Sequence, residues 1–277
     1  MKRRDFVKTA VPFAVLPFAG NAYPATSVVP VPIDTPETRE AYLARMLKAL
    51  CTDLGPRPVG NAACEKGAEI IRREMERSLP SVTLDTFTFS RWELDGASEF
   101  TIGGKAVEHC PAVGSGGTPS GGSTGMLVKA NIPRVNYLMV DRAGKTLCYI
   151  AVSEPWLKGP AVPRSHANYY SDPGGTPAIN VGTQDIPMLD GAMASGVPVH
   201  LRYQVKFHPG TRTSSVIGSI PGTTPDELLF FAHHDTMYVT EGAHDNTASV
   251  IMLIMLAHAS AGLKLKTSAT ISLSLSS

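Results

Sequence analysis

The chain has 277 residues, 43% of them hydrophobic, and a formal net charge of +1. That length holds one large domain, or one domain carrying a smaller one, and that apolar content supports a packed core. With charge near balance and no basic block beyond the first residues, a nucleic-acid partner is disfavoured.

The first 25 residues, "MKRRDFVKTAVPFAVLPFAGNAYPA", join a basic head, an apolar run from Val11 to Ala19 and small residues at Ala19–Ala22. This is the layout of an export signal. The apolar run is too short to cross a bilayer of about 30 Å as a helix. Arg3 and Arg4, followed by Phe6 and Lys8, resemble the twin-arginine pattern. The expectation is cleavage near Ala22 and a periplasmic or extracellular product without a stable membrane anchor. Of the four cysteines (Cys51, Cys64, Cys110 and Cys148), none forms a C-x-x-C pair, which argues against a cysteine zinc site. An exported chain can form disulfides. Cys51 with Cys64 is the pair to test first, with buried free thiols as the alternative.

After a proline-broken lead-in, Thr35 reads as a helix N-cap with Pro36 at the first helical position. Leu43, Met46, Leu47, Leu50, Cys51 and Leu54 then recur at helical spacing. "GPRPVGN" breaks that helix. Asn61 caps the next, which aligns Cys64, Ala68, Ile71, Met75 and Leu79. Ser81–Phe89 reads as a strand. Between about Asp95 and Tyr203 the chain turns rich in Gly, Pro and Ser, with short β-like runs at 126–128, 137–140 and 146–152. This predicts a small β-rich insert over 95–205 within a larger domain made of 35–94 and 206–277. "ELLFFAH" (Glu227–His233) is a short apolar run of the kind found in buried sheet strands. Asn246–Leu263 reads as a helix packed on that sheet, and Ser268–Ser277 alternates like another strand. Strand, helix, strand predicts an α/β layer with a right-handed crossover.

His233 ends the strand 228–232, and ligand sites in open α/β sheets gather at the carboxyl ends of strands. Imidazole nitrogen and carboxylate oxygen are both zinc donors. Asp245 follows a glycine turn and can face the same crevice. Asp235 lies two residues past His233, on the same side of an extended backbone, where it can accept a hydrogen bond from the other ring nitrogen.

"AHHDT…EGAHDN" resembles the A-H-x-D … G-A-x-D-N signature of the M28 zinc peptidases, the co-catalytic aminopeptidase and carboxypeptidase group. Leu54–Met75 looks like that family's "gpR-x-x-G" turn and following helix, and "SSVIGSIPGT" resembles its strand before the metal histidine. The Gly-rich insert looks like a protease-associated domain. The resemblance implies an α/β fold with a mixed sheet flanked by helices, two zinc ions in the complete family site, and a peptide or protein substrate. Carried over by position, His233 would bind one zinc, Asp245 would bridge both, and Asp235 would be the catalytic-site carboxylate supporting His233. His234 and His244 fall at variable positions and are expected on the surface or in loops.

In this family the next strand ends in a Glu-Glu pair that supplies the general base and a further zinc ligand. "ATISLSLSS" fits the strand leading to that pair, and no Glu-Glu occurs anywhere in the sequence. The expectation is a C-terminally truncated peptidase with little or no activity of its own. "GGSTG" (Gly121–Gly125) matches the G-x-S-x-G of serine hydrolases, yet it lacks the strand before and helix after that would make Ser123 a nucleophile. H-E-x-x-H is absent. The other reading from the residues is a non-catalytic binding module built on the β-rich insert.

Overall fold

The computed structural model describes residues 37–152, 159, 161–162 and 174–275. The expected export signal, Thr35 and Pro36 lie outside these residues.

Helix α1 (Arg39–Leu47) is capped by Thr38, whose side chain accepts from the Ala41 amide at 3.1 Å, so the cap falls three residues later than Thr35. A wider turn over Lys48–Thr52 extends it. Helix α2 (Ala62–Glu76) is capped as expected by Asn61, whose Oδ1 accepts from the Cys64 amide at 2.7 Å. Cys64, Ala68, Ile71 and Met75 on this helix, with Leu79 beyond it, are all buried. The helix lies against Gly218, where a Cβ would meet Leu79 Cδ1 at 2.4 Å and Met75 Cε at 2.5 Å.

The predicted strand at Ser81 runs much further than Phe89. It is the 22-residue β1 (Ser81–Ile102), and it pairs antiparallel with an equally long β8 (Val199–Ile220). The ladder with β8 carries it over this length, and Trp92, Phe100 and Ile102 in its second half are buried. Between the two strands lie β2 (Lys105–Ala106), β3 (His109–Pro111), β4 (Ser123–Ile132), β5 (Val135–Val140), β6 (Thr146–Val152), β7 (Ala178–Val181) and helix α3 (Ile186–Ser195). The sheet order is β2-β1-β8-β4-β5-β6-β7-β3. Ser123 opens strand β4 opposite Leu201 of β8, which is no nucleophile elbow.

At its far end β8 pairs with β10 (Ser268–Ser274), which pairs in parallel with β9 (Glu227–His233). Helix α4 (Ala248–Ser260) connects those two strands. The helix starts at Ala248 rather than Asn246, because Asp245 and Asn246 adopt non-helical dihedrals. The result is a mixed α/β fold with a mixed sheet flanked by helices.

Two buried clusters form along the β1/β8 ladder. One joins α1, α2 and α4 to β9, β10 and the end of β8, through residues such as Tyr42, Ile71, Val216, Ile254 and Leu273. The other joins β4–β7 and α3 to the opposite half of the ladder, through Phe100, Tyr137, Ile150, Leu189 and Tyr203. Each such apolar side chain contributes about 1.5–3 kcal/mol on burial. The Cys51–Cys64 disulfide is not formed: all four cysteines are free thiols. Among the described residues no helix is long and apolar enough to cross a membrane.

Candidate metal centre

Three pieces of chain build the site. The first is the carboxyl end of β9. His233 stands opposite Ser274 of β10, and the His234 amide donates to the Ser274 carbonyl at 3.0 Å, which fixes the strand end. The second is the turn from Glu241 to Thr247. Gly242 opens it in the left-handed region, at φ +63°, and a Cβ there would meet Thr236 Cγ2 at 2.3 Å and the Asp245 carbonyl oxygen at 2.6 Å. Only glycine fits both the dihedral and the space. The Thr247 amide donates to the Gly242 carbonyl at 3.0 Å, and this closes the turn and projects Asp245 outward. The Asp245–Asn246 peptide is cis.

The third piece is the Gly55–Asn61 turn, which carries Arg57. Arg57 is 1% exposed. Its Nε donates to the His234 carbonyl at 3.2 Å, its Nη1 to the Glu241 carbonyl at 3.2 Å and its Nη2 to Thr247 Oγ1 at 2.7 Å. The Arg57 amide donates to Thr236 Oγ1 at 2.8 Å, and the Thr236 amide returns a bond to the Arg57 carbonyl at 3.0 Å. One side chain thus ties the strand end bearing His233 to the turn bearing Asp245. It also donates to the Leu50 carbonyl in the preceding helical turn; the sequence marks Arg57 only as the arginine of the "gpR-x-x-G" turn, and its remote partners lie nearly two hundred residues away.

The fold brings His233, Asp235 and Asp245 together. His233 Nε2 lies 2.9 Å from Asp245 Oδ1. On the other side of the ring, Nδ1 lies 3.2 Å from the Asp235 carbonyl oxygen and 3.4 Å from Asp235 Oδ1. Asp235 is buried and the Asp245 side chain is 82% exposed, so one carboxylate sits under the ring and the other at the mouth. The Asp235 carboxylate is the main reason the His233 pKa is raised. Burial opposes it, and Asp245 adds to it.

An imidazole nitrogen and a carboxylate oxygen aimed at one point are a donor set that suits zinc. A hydrogen bond from Nδ1 to Asp235 leaves Nε2 as the free donor, the arrangement that second partners of metal-binding histidines impose. Among the described residues no group of three or more His, Cys, Asp or Glu side chains could hold a metal ion, so the described residues offer two donors here.

The neighbouring histidines part ways. His244 is exposed in the turn, as expected. His234 is not a surface residue: it is 3% exposed, and its Nε2 donates to the Ser214 carbonyl at 3.0 Å. Successive strand residues face opposite sides, so the residue after His233 points into the packed side. Burial there pushes its pKa down.

Beside Asp235 opens a cleft of ≈ 530 Å³. Its walls come from the middle of β1, the loop after β3, and Met237 and Tyr238 just past the site. Sequence reading missed it because its walls are far apart in the chain.

Residues 215–275 match the model for peptidase family M28. The chain carries an M28 peptidase segment. The M28 match spans β9, the turn with Asp245, α4 and β10. Solved structures agree at the level of fold. A zinc aminopeptidase from Bacillus subtilis superposes with a TM-score of 0.60 at 17% identity, over 84% of this chain and 60% of that one. A peptidase M28 precursor from Shewanella amazonensis SB2B gives 0.67 at 15% identity, over 84% and 63%. An aminopeptidase from Aneurinibacillus sp. strain AM-1 gives 0.59 at 15% identity, over 84% and 61%. The present chain therefore spans less than two thirds of the length of these solved chains. No curated protein sequence matches it.

Proposed function

We propose that this chain is part of an exported M28-type metallopeptidase of the aminopeptidase kind, with His233 and Asp245 as zinc ligands and Asp235 as the carboxylate that orients His233. The observation that carries the reading is the 2.9 Å convergence of His233 Nε2 on Asp245 Oδ1, with Asp235 on the other face of the ring. The M28 match over this same stretch and the aminopeptidase neighbours support it.

When bound in such a centre, zinc polarises a carbonyl and lowers the pKa of water. The residues of this chain supply the positioning. Asp235 holds a proton on Nδ1 and keeps Nε2 turned to the crevice. The Glu241–Thr247 turn sets Asp245 at the mouth, where its exposed carboxylate would serve as a zinc ligand. Burial of Asp235 keeps its charge close to the imidazole instead of spread into solvent.

Two protein donors are fewer than the three of a catalytic zinc, and the sequence has no Glu-Glu pair to supply a base. We therefore propose that the 277-residue chain alone hydrolyses peptides poorly or not at all. In this reading the β-rich part between β1 and β8 is a protease-associated-like module beside the substrate path.

The test is zinc affinity by equilibrium dialysis, read beside hydrolysis of an aminoacyl-p-nitroanilide. His233→Ala and Asp245→Ala should each abolish the tightest zinc site, and Asp235→Asn should weaken it by about 10–100-fold. Zinc affinity unchanged by all three variants contradicts the ligand assignment. Metal-dependent hydrolysis by the wild-type chain contradicts the incompleteness.

A further inference from the structure

We infer that Ser78 is an activated nucleophile in a second pocket, at the opposite end of the sheet from His233, and that it takes an acyl group from a neutral ester with a short apolar chain. Ile220 of β8 pairs with Ala269 and Ala269 with Leu228, so the pocket sits where β9 and β10 begin, while the candidate metal centre sits where β9 ends. Neither His233 nor Asp245 takes part.

A line of polar groups runs inward from the pocket. Ser78 Oγ lies 2.8 Å from His258 Nδ1 on α4. On the far side of that ring, Nε2 lies 3.2 Å from Tyr42 Oη on α1 and 3.8 Å from Glu74 Oε2 on α2. A carboxylate only accepts, so the single Tyr42 hydroxyl proton goes to Glu74 Oε2, at 3.2 Å. The Tyr42 oxygen then accepts from Nε2–H, and Nδ1 is left with a lone pair for the Ser78 hydroxyl. Ser78 Oγ also has the Met75 carbonyl at 3.4 Å, a longer and weaker acceptor. A hydroxyl held on a base that is itself oriented by a third group is the arrangement that activates a serine.

The pocket has room for the donor. Its volume is ≈ 490 Å³, and Leu79, Pro80, Ile220, Pro221 and Leu263 give it apolar walls beside Ser78. Helices α2 and α4 both end on it, at Glu76 and Ser260. Those carboxyl ends carry negative potential, so a neutral ester is favoured over an anionic one. Arg77 lines the same pocket and offers positive charge to the carbonyl oxygen as it takes up charge. In the step itself, Ser78 Oγ bonds to the carbonyl carbon, and its proton passes to His258 Nδ1. The ester C–O bond breaks, and the leaving oxygen departs with the bonding pair. Glu74 meets the charge that His258 acquires. The acyl group stays on Ser78, because the His258 side chain is 0% exposed and has no access to a water that could remove it.

The test uses the full chain with EDTA present, at about pH 8, where an imidazole is neutral. The acyl donor is p-nitrophenyl butyrate. The expected result is a burst of roughly one equivalent of p-nitrophenolate without steady turnover. Mass spectrometry of the digested protein should place one butyryl group on Ser78. Acylation should outpace that of N-acetyl-L-serinamide in the same buffer by about 10²-fold or more, the contribution of a positioned general base. p-Nitrophenyl acetate should react roughly tenfold more slowly than the butyrate, for want of two methylenes against the apolar walls. Ser78→Ala should lose both the burst and the label. Ser78 is a half-buried turn residue, so this variant keeps the fold, which urea unfolding verifies. No burst, a butyryl group on another residue, a burst that survives Ser78→Ala, or a rate no higher than that of the serinamide overturns the activated nucleophile. Equal rates with acetate and butyrate overturn the apolar acyl pocket.

Discussion

Arg57 Nη2 donates to Thr247 Oγ1 at 2.7 Å across 190 positions of sequence. The same guanidinium reaches the carbonyls of His234 and Glu241, so the two loops of the candidate metal centre share one anchor. A planar five-donor fork serves these diverging acceptors, and an ammonium cannot. Arg57→Met leaves several buried acceptors without a donor, at about 1–3 kcal/mol each. It should therefore lower stability by on the order of 3 kcal/mol or more in urea unfolding. Arg57→Lys should recover only part of that loss. Wild-type stability in the Met variant would mean that the anchor is dispensable.

A second buried polar group has a pH signature. Glu74 joins α2 to α1 and α4: Tyr42 Oη donates to its Oε2 at 3.2 Å, Arg45 Nη1 to its Oε1 at 3.0 Å and Arg77 Nη1 to its Oε2 at 2.8 Å. Burial alone would raise its pKa. Interaction with His258 and the two guanidinium groups outweighs burial and lowers it from 4.5 to about 2. A carboxyl whose folded pKa lies below its unfolded value stabilises the fold above the unfolded value and loses that contribution as pH falls through the folded one. Stability should therefore decline between about pH 4.5 and pH 2. Glu74→Gln should flatten that decline and cost on the order of 3 kcal/mol at neutral pH. Chemical denaturation of both proteins across this range is the check. An equal acid-side decline in the two would contradict the assignment.

The outer edge of β9 is the third testable feature. Among the described residues, β9 pairs only with β10, and Leu229 and Phe231 on its bare face are 62% and 76% exposed. An exposed apolar edge strand templates association. Phe231→Lys should shift the protein toward monomer in analytical ultracentrifugation. It should change stability by no more than about 0.5 kcal/mol, because Phe231 is not part of either buried cluster. Association that is unchanged in this variant would place the sticky surface elsewhere.

What could be read from the sequence follows from how local each signal is. β9 and β6 fall where their apolar runs place them, and Asn61 caps α2, because run length and capping act within a few residues. His233 and Asp235 meet because they lie two residues apart across the end of β9. The length of β1 was not legible past Phe89, since only the pairing with β8, more than a hundred residues away, keeps it extended. Helix α3 was hidden among Gly- and Pro-rich neighbours, and only Leu189 and Ala192 on it are buried. His234 lies just past the end of β9, and its burial was missed because its partner, the Ser214 carbonyl, belongs to another strand. The remote partners of Arg57 and the cleft beside Asp235 are long-range constructions that no window of sequence displays.

Zinc soaking with anomalous diffraction tests the central claim most directly. A zinc ion should appear between His233 Nε2 and the Asp245 carboxylate, at about 2.0–2.2 Å from each. It should replace their direct hydrogen bond, and the His233 ring should stay turned by Asp235. A zinc peak on other histidines, with the His233–Asp245 bond still closed, would contradict the assignment of this site as a metal centre.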